Sequence, residues 1–297
     1  MPKTPHKEKL LAAIANPKCK NDAPILRTAL EEYENWIKEL DSLTSSGKQK
    51  VMEMTNLLNQ YKNLLEVDVI AKQCTQFVRR QKGQLKLDNS VIEEFLIKLI
   101  DPAILDGLPP GLELEVGPQT AFMSLSFRPV SISALDEKPD VVVKLKDQDF
   151  AIGKTIYYQF SPDAGFKNTK TNKGSMFLAV LAAEVKVNLD KTMFQEAAGT
   201  ASRLKQGCPN SKYYVLVEFL DMIPEDCRLT DIDNVFLLRH AKRLPFEKRS
   251  IYEEVRDQHY NFPIDGEVVY KFVEEMKAFI GSVWYGPNEA ISRGSFI

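Results

Sequence analysis

Histidine and cysteine are scarce in this chain of 297 residues, with three and four copies. His6, His240 and His259 lie far apart, so imidazole offers little toward a zinc site or a serine hydrolase triad. Cys19, Cys74, Cys208 and Cys227 form no C-x-x-C pair, and their scatter reads as free thiols in a reducing compartment. No apolar run approaches the roughly 18 residues a membrane helix needs. The N-terminal MPKTPHKEKLLAAIANPK has a short apolar patch without a cleavage site, so no membrane is expected and the protein reads as cytoplasmic. An excess of charge is missing too: 39 Lys and Arg against 41 Asp and Glu leave −2, which excludes no partner class. Any hydrolytic metal must then be held by carboxylates, which favours magnesium or manganese over zinc.

Hydrophobic content of 44% and charged content of 27% are those of an ordinary globular protein with ample chain for a core. Two parts are expected, 1–105 and 106–297. In the first, Leu26, Leu30, Tyr33, Ile37 and Leu40 recur at helical spacing. Val51, Met54, Leu58, Tyr61 and Leu65 repeat the pattern after a turn at Thr44-Ser-Ser-Gly47, which gives an αα-hairpin. Further helices are expected over Val69–Arg80 and Ser90–Ile100, and Asp106-Gly-Leu-Pro-Pro-Gly111 marks a break.

Strands dominate beyond that break. Asp140–Leu145 and Lys154–Phe160, separated by a polar stretch that begins Lys146-Asp-Gln-Asp149, are expected to form a hairpin. The apolar run Phe177–Ala183 ends on Glu184-Val-Lys186. On a strand Glu184 and Lys186 share one face and Val185 faces the other. A carboxylate and an ammonium fixed at the end of an interior strand can hold a divalent cation and position a water, chemistry that suits phosphodiester hydrolysis. A helix follows, with Thr192 as N-cap and Gln195 closing a capping box, and stops at Gly207. Strands at Tyr213–Leu220 and Val235–Leu238 make a parallel crossover the expectation, and a last helix spans Gly266–Ile280.

A mixed sheet whose strand carries E-x-K and feeds a helix resembles the PD-(D/E)xK nuclease core. The fold class is thus α/β (α+β), a mixed central sheet with a helical N-terminal region. That superfamily takes a further acid from the preceding strand. Pro162-Asp163 and Pro139-Asp140 are both available, and Asp163 is placed first because hairpin geometry brings it closer to Glu184. The E-x-K signal is weak alone, since Asp136-Glu-Lys138 and Glu275-Met-Lys277 match it as well. The segment EVKVNLDKTMFQEAAGTASRLK with KYYVLVEFLDM is more specific and resembles type II restriction endonucleases of the DdeI and BbvCI group.

The resemblance implies a bacterial, cytoplasmic enzyme that cuts double-stranded DNA with Mg2+ and leaves 5′-phosphates, as a homodimer or a heterodimer with a related subunit. Asp163, Glu184 and the Val185 carbonyl would bind the metal. Lys186 would orient or help deprotonate the attacking water. Gln195 and Glu196 would support water or a second metal, or only cap the helix. Two basic segments offer either solvated surface or a cradle for DNA: Lys167, Lys170 and Lys173 in one, Arg239, Lys242 and Arg243 in the other. A structure-specific repair or mobile-element nuclease of the same fold, and a non-catalytic binding module, are the alternatives.

Overall fold

The computed structural model describes residues 3–75, 78, 85, 87–108, 111–282 and 287–294. Helix α1 spans Pro5–Ala15, with proline at a position where its missing N–H costs nothing. Helices α2 (Ala23–Ser42) and α3 (Gly47–Lys62) form the expected αα-hairpin. They bury Leu26, Ala29, Tyr33, Trp36 and Leu40 against Val51, Met54, Leu58 and Tyr61. Beyond α3 the chain continues in wider π turns over Asn63–Ala71 instead of starting a separate helix at Val69. Of the helix expected over Val69–Arg80, positions 76, 77, 79 and 80 lie outside the described residues, as do 109 and 110 of the expected break. Helix α4 runs Leu87–Lys98.

Strands β1 (Glu115–Phe127), β2 (Val141–Phe160) and β3 (Asn172–Leu189) follow; sequence patterning had not marked β1. The expected hairpin between Asp140–Leu145 and Lys154–Phe160 is corrected, because β2 is one continuous strand. Lys146-Asp-Gln-Asp149 holds no glycine, proline or asparagine to reverse the chain. It pairs with β1, where Thr120 donates to Asp147 at 2.7 Å. The second half of β2 pairs antiparallel with β3, from Phe160↔Asn172 to Phe150↔Ala183. Gly153 allows the bulge in this ladder, since a Cβ there would stand 2.0 Å from the Leu178 carbonyl oxygen.

Helix α5 (Lys191–Gly207) crosses to β4 (Lys212–Leu220), and β5 (Asn234–Leu237) completes the sheet. The order is β1-β2-β3-β4-β5, with β3, β4 and β5 mutually parallel. The N-cap of α5 is Asp190, not Thr192: the Met193 N–H donates to Asp190 Oδ1 at 2.8 Å. An aspartate at the exact end of β3 therefore starts the helix two residues before the expected capping box. Helices α6 (Tyr252–Asn261), α7 (Gly266–Ile280) and α8 (Pro287–Arg293) close the chain. Among the described residues no helix is long and apolar enough to cross a membrane.

The sheet is covered on both faces. One side buries Phe150, Ile152, Leu181, Ala183, Val185, Tyr214 and Leu216 against the N-terminal helices and α7. The other buries Ala151, Ala179, Ala182, Tyr213, Val215 and Val217 against Phe194, Ala197, Ala201 and Leu204 of α5. Under the first side lies a cluster of buried charge. Lys62 Nζ is 2.5 Å from Glu66 and 2.9 Å from Glu218, and Arg239 Nε is 2.9 Å from Glu218. His259 Nε2 lies 3.3 Å from Glu66. Burial alone would lower the Lys62 ammonium, but Glu218 and Glu66 outweigh it and hold it above its ordinary range. Removing one partner from such a cluster strands the others without compensation.

A second buried polar group ties α1 to the other helices. His6 Nδ1 is 2.9 Å from Ser90 Oγ and Nε2 is 2.8 Å from Tyr61 Oη, while Glu94 accepts from the His6 amide at 2.9 Å and from Tyr33. Burial, helped by Lys62, pushes the His6 imidazole down to about 3 from 6.5. The unfolded chain therefore takes up a proton below pH 6.5 that the folded chain refuses, so this contribution is whole above pH 6.5 and shrinks as pH falls toward 3. Urea unfolding is expected to show wild type losing about 2 kcal/mol more than His6→Gln between pH 6.5 and pH 5.

Candidate active site

The antiparallel ladder of β2 with β3 ends at Phe150↔Ala183, so the next residues outward are Asp149 and Glu184. Side chains opposite each other in register share a face of the sheet. Both carboxylates therefore lie on the α5 side, with Ala151 and Ala182 behind them in the core. The N–H and C=O of one strand residue point to the same edge. Val185 directs both toward the edge that β2 has left. Its N–H donates to Asp149 Oδ2 at 3.0 Å, and its carbonyl oxygen accepts from Asn89 Nδ2 at 3.3 Å.

Lys186 Nζ lies 2.7 Å from Glu184 Oε1, with both side chains mostly covered. Burial would lower the Lys186 ammonium, but the Glu184 carboxylate, with Asp149 and Glu196 behind it, holds it above its ordinary range. The other Glu184 oxygen accepts from the buried Tyr213 hydroxyl at 2.9 Å. Burial first, and then Glu184, keep the Tyr213 phenol far above its usual range, so it stays a donor. The Glu184 carboxylate is thus held from both sides, by an ammonium and by a phenol.

The other expected residues fall elsewhere. Asp163 sits in the loop between β2 and β3, about 40 Å of strand path from Glu184 at about 3.3 Å per residue. There it shapes the turn, accepting from the backbone N–H of Gly165 at 3.3 Å and of Lys167 at 3.1 Å. Its expected place beside Glu184 is corrected, because the hairpin is long and its tip is the far end. Asp140 is distant too, paired with Arg128 at 3.2 Å at the start of β2. Asp149 stands where a second acid was expected, without a preceding proline.

The basic segments also part. Lys167 and Lys170 belong to the distal loop, where Lys170 pairs with Asp136 at 2.8 Å, and Lys173, at the start of β3, donates to Asn168 of that loop at 3.1 Å. Lys242 is exposed at the C-terminal end of β4, bridged to Leu220, and Arg243 pairs with Asp221 at 3.1 Å. Arg239 is corrected as a DNA contact. It is fully buried on Glu218 and the Phe262 carbonyl, with no face left for a phosphate. Gln195 and Glu196 are exposed on the second turn of α5.

A family model for Bpu10I restriction endonuclease matches residues 84–296. The chain belongs to the Bpu10I restriction endonuclease family. As a restriction endonuclease it acts on DNA, and the matched span holds Asn89, Asp149, Glu184, Lys186 and Tyr213. Among solved structures, the chain is similar to one described as "native BbvCI A2B2 tetramer at low resolution", with a TM-score of 0.65 and 17% identity. The alignment covers 94% of this chain and 97% of that one, which shows the shared fold. Comparison with curated protein sequences finds no match.

Tyr213 was not marked by the sequence as a site residue; its place opening an interior strand beside the E-x-K strand is the signal that points to it. Tyr213→Phe is expected to lower stability to urea by about 1 kcal/mol. DNA cleavage under single-turnover conditions is expected to slow by about tenfold, because Glu184 loses its phenolic donor.

Proposed function

We propose that this restriction endonuclease is a type II site-specific enzyme that hydrolyses phosphodiester bonds of duplex DNA with Mg2+ and leaves 5′-phosphates. The observation that carries the reading is the meeting of Asp149, Glu184, the Val185 carbonyl and Lys186 where β2 and β3 part. The donor set fits a hard cation. Two carboxylates and a backbone carbonyl, with water, would make up the set; among the described residues there is no group of three or more His, Cys, Asp or Glu that could hold a metal. Few protein ligands with several waters is the habit of Mg2+.

Asp149, Glu184 and the Val185 carbonyl would hold the ion, which neutralises charge on the phosphate and favours hydroxide over water when bound. Lys186 presents a fixed positive charge beside them, suited to orient the attacking water and to stabilise the charge that develops on the phosphorus-bound oxygens. Tyr213 keeps Glu184 in place. Lys242 and Arg243, at the C-terminal end of the neighbouring strand, lie where they could engage the DNA backbone beside the cut. Lys167, Lys170 and Lys173 would meet DNA only at a distance from the cut, across the length of the hairpin.

The similar BbvCI structure is described as an A2B2 tetramer. By analogy, two copies of this chain, or this chain and a related subunit, would each cut one strand of the duplex. The setting that fits is a restriction–modification system in the bacterial cytoplasm.

Digestion of unmethylated phage DNA with Mg2+ tests the reading, with the product of an adjacent reading frame added if the chain alone is silent. Wild type is expected to give discrete fragments or site-specific nicks. Asp149→Asn, Glu184→Gln and Lys186→Ala are each expected to slow cleavage by about a thousandfold. Asp163→Asn is expected to cut within about threefold of wild type, as a surface change away from the chemistry. Loss of cleavage in Asp163→Asn with retention in Asp149→Asn would overturn the assignment.

A further inference from the structure

Asn89 reaches the site from the face of the sheet opposite to α5. It sits near the start of α4, and its Nδ2 donates to the Val185 carbonyl oxygen at 3.3 Å. Asp149 takes the amide of the same residue. Side chains from two separate parts of the chain thus take up both backbone groups that β2 leaves unpaired.

The backbone around Asn89 is fixed from inside the protein. Fully buried Lys62 donates to the Asp88 carbonyl oxygen at 3.1 Å, and the Asn89 amide donates to Asp88 Oδ1 at 3.1 Å. The buried ion cluster therefore sets the position from which Asn89 approaches β3. A carboxamide carries two donor hydrogens and an acceptor oxygen. Asn89 uses Nδ2 on Val185, whereas its Oδ1 is shut from solvent and accepts from no group among the described residues. A buried acceptor left unmet is costly and asks for an explanation. Here the unmet oxygen shares a small planar group with the donor that touches the Val185 carbonyl, so it lies beside the edge where the cation is placed.

We propose that Asn89 is a positioning residue for the divalent cation: Nδ2 holds the Val185 carbonyl in its orientation, and Oδ1 accepts a hydrogen bond from a water in the ion's shell. This rests on the reading of Asp149, Glu184 and Val185 as the ion's ligands. It makes the helical layer a working part of the metal centre, with α4 delivering a group that the sheet alone lacks.

The test is Mn2+ binding to the full chain without DNA, followed by titration calorimetry, with circular dichroism and thermal unfolding to confirm the fold. Asn89→Ala is expected to weaken Mn2+ binding by about 10- to 100-fold, the usual effect of losing a group that supports metal ligands. Asn89→Asp, which keeps an acceptor oxygen but loses the Nδ2 donor to Val185, is expected to bind between wild type and Asn89→Ala. Glu184→Ala is expected to lose binding. Binding by Asn89→Ala within about twofold of wild type, with Glu184→Ala inactive in binding, would reduce Asn89 to a tie between helix and strand. Equal weakness of Asn89→Asp and Asn89→Ala would overturn the role of Oδ1. Unchanged binding by Glu184→Ala would place the ion elsewhere, and the ligand reading itself would fall.

Discussion

The ladder between β2 and β3 stops at Phe150↔Ala183, one residue short of Glu184, and the site follows from that stop. Had pairing continued, the Val185 N–H and C=O would be ladder groups. Because β2 turns away to run beside β1, they are left at an open edge and must find other partners. Asp149 supplies one on the face that carries Glu184, and Asn89 supplies the other from the opposite face. The bulge at Ile152/Gly153, possible only because Gly153 lacks a Cβ, is the local irregularity next to this divergence.

Holding that edge open requires a rigid surround. On one face α5 packs through Phe194, Ala197 and Ala201, and Tyr213 braces Glu184. On the other, the cluster of Lys62, Glu66, Glu218, Arg239 and His259 joins the end of α3, β4 and α6 beneath the sheet. Through the Asp88 carbonyl the same cluster locates the start of α4. The helices of the first hundred residues and the sheet thus share one core, and the edge that carries Asp149 and Glu184 is supported from both layers.

Much of this was legible in the sequence. The three-and-four spacing in α2 and α3 gave the αα-hairpin, because one apolar stripe has only one way to be buried. Strand alternation put Glu184 and Lys186 on one face. Asp149 was hidden, since it lies in a polar stretch that mimics a turn and lacks the Pro-Asp signature. Pairing Phe160 with Asn172 and counting outward brings it opposite Glu184 to within a residue, a signal lost when β2 was read as two strands. Arg239 was misread because a basic cluster looks solvated unless its partner is known. Glu218, the one acid inside the apolar Tyr213–Phe219 run, was the hint that an interior cation had to exist.

The most direct measurement is a crystal structure of the full chain with Mn2+, in which anomalous scattering locates the ion. The account expects a peak between the Asp149 and Glu184 carboxylates and the Val185 carbonyl oxygen. A peak at Asp163 in the distal loop, or bound Mn2+ away from the edge where β2 and β3 part, would contradict it.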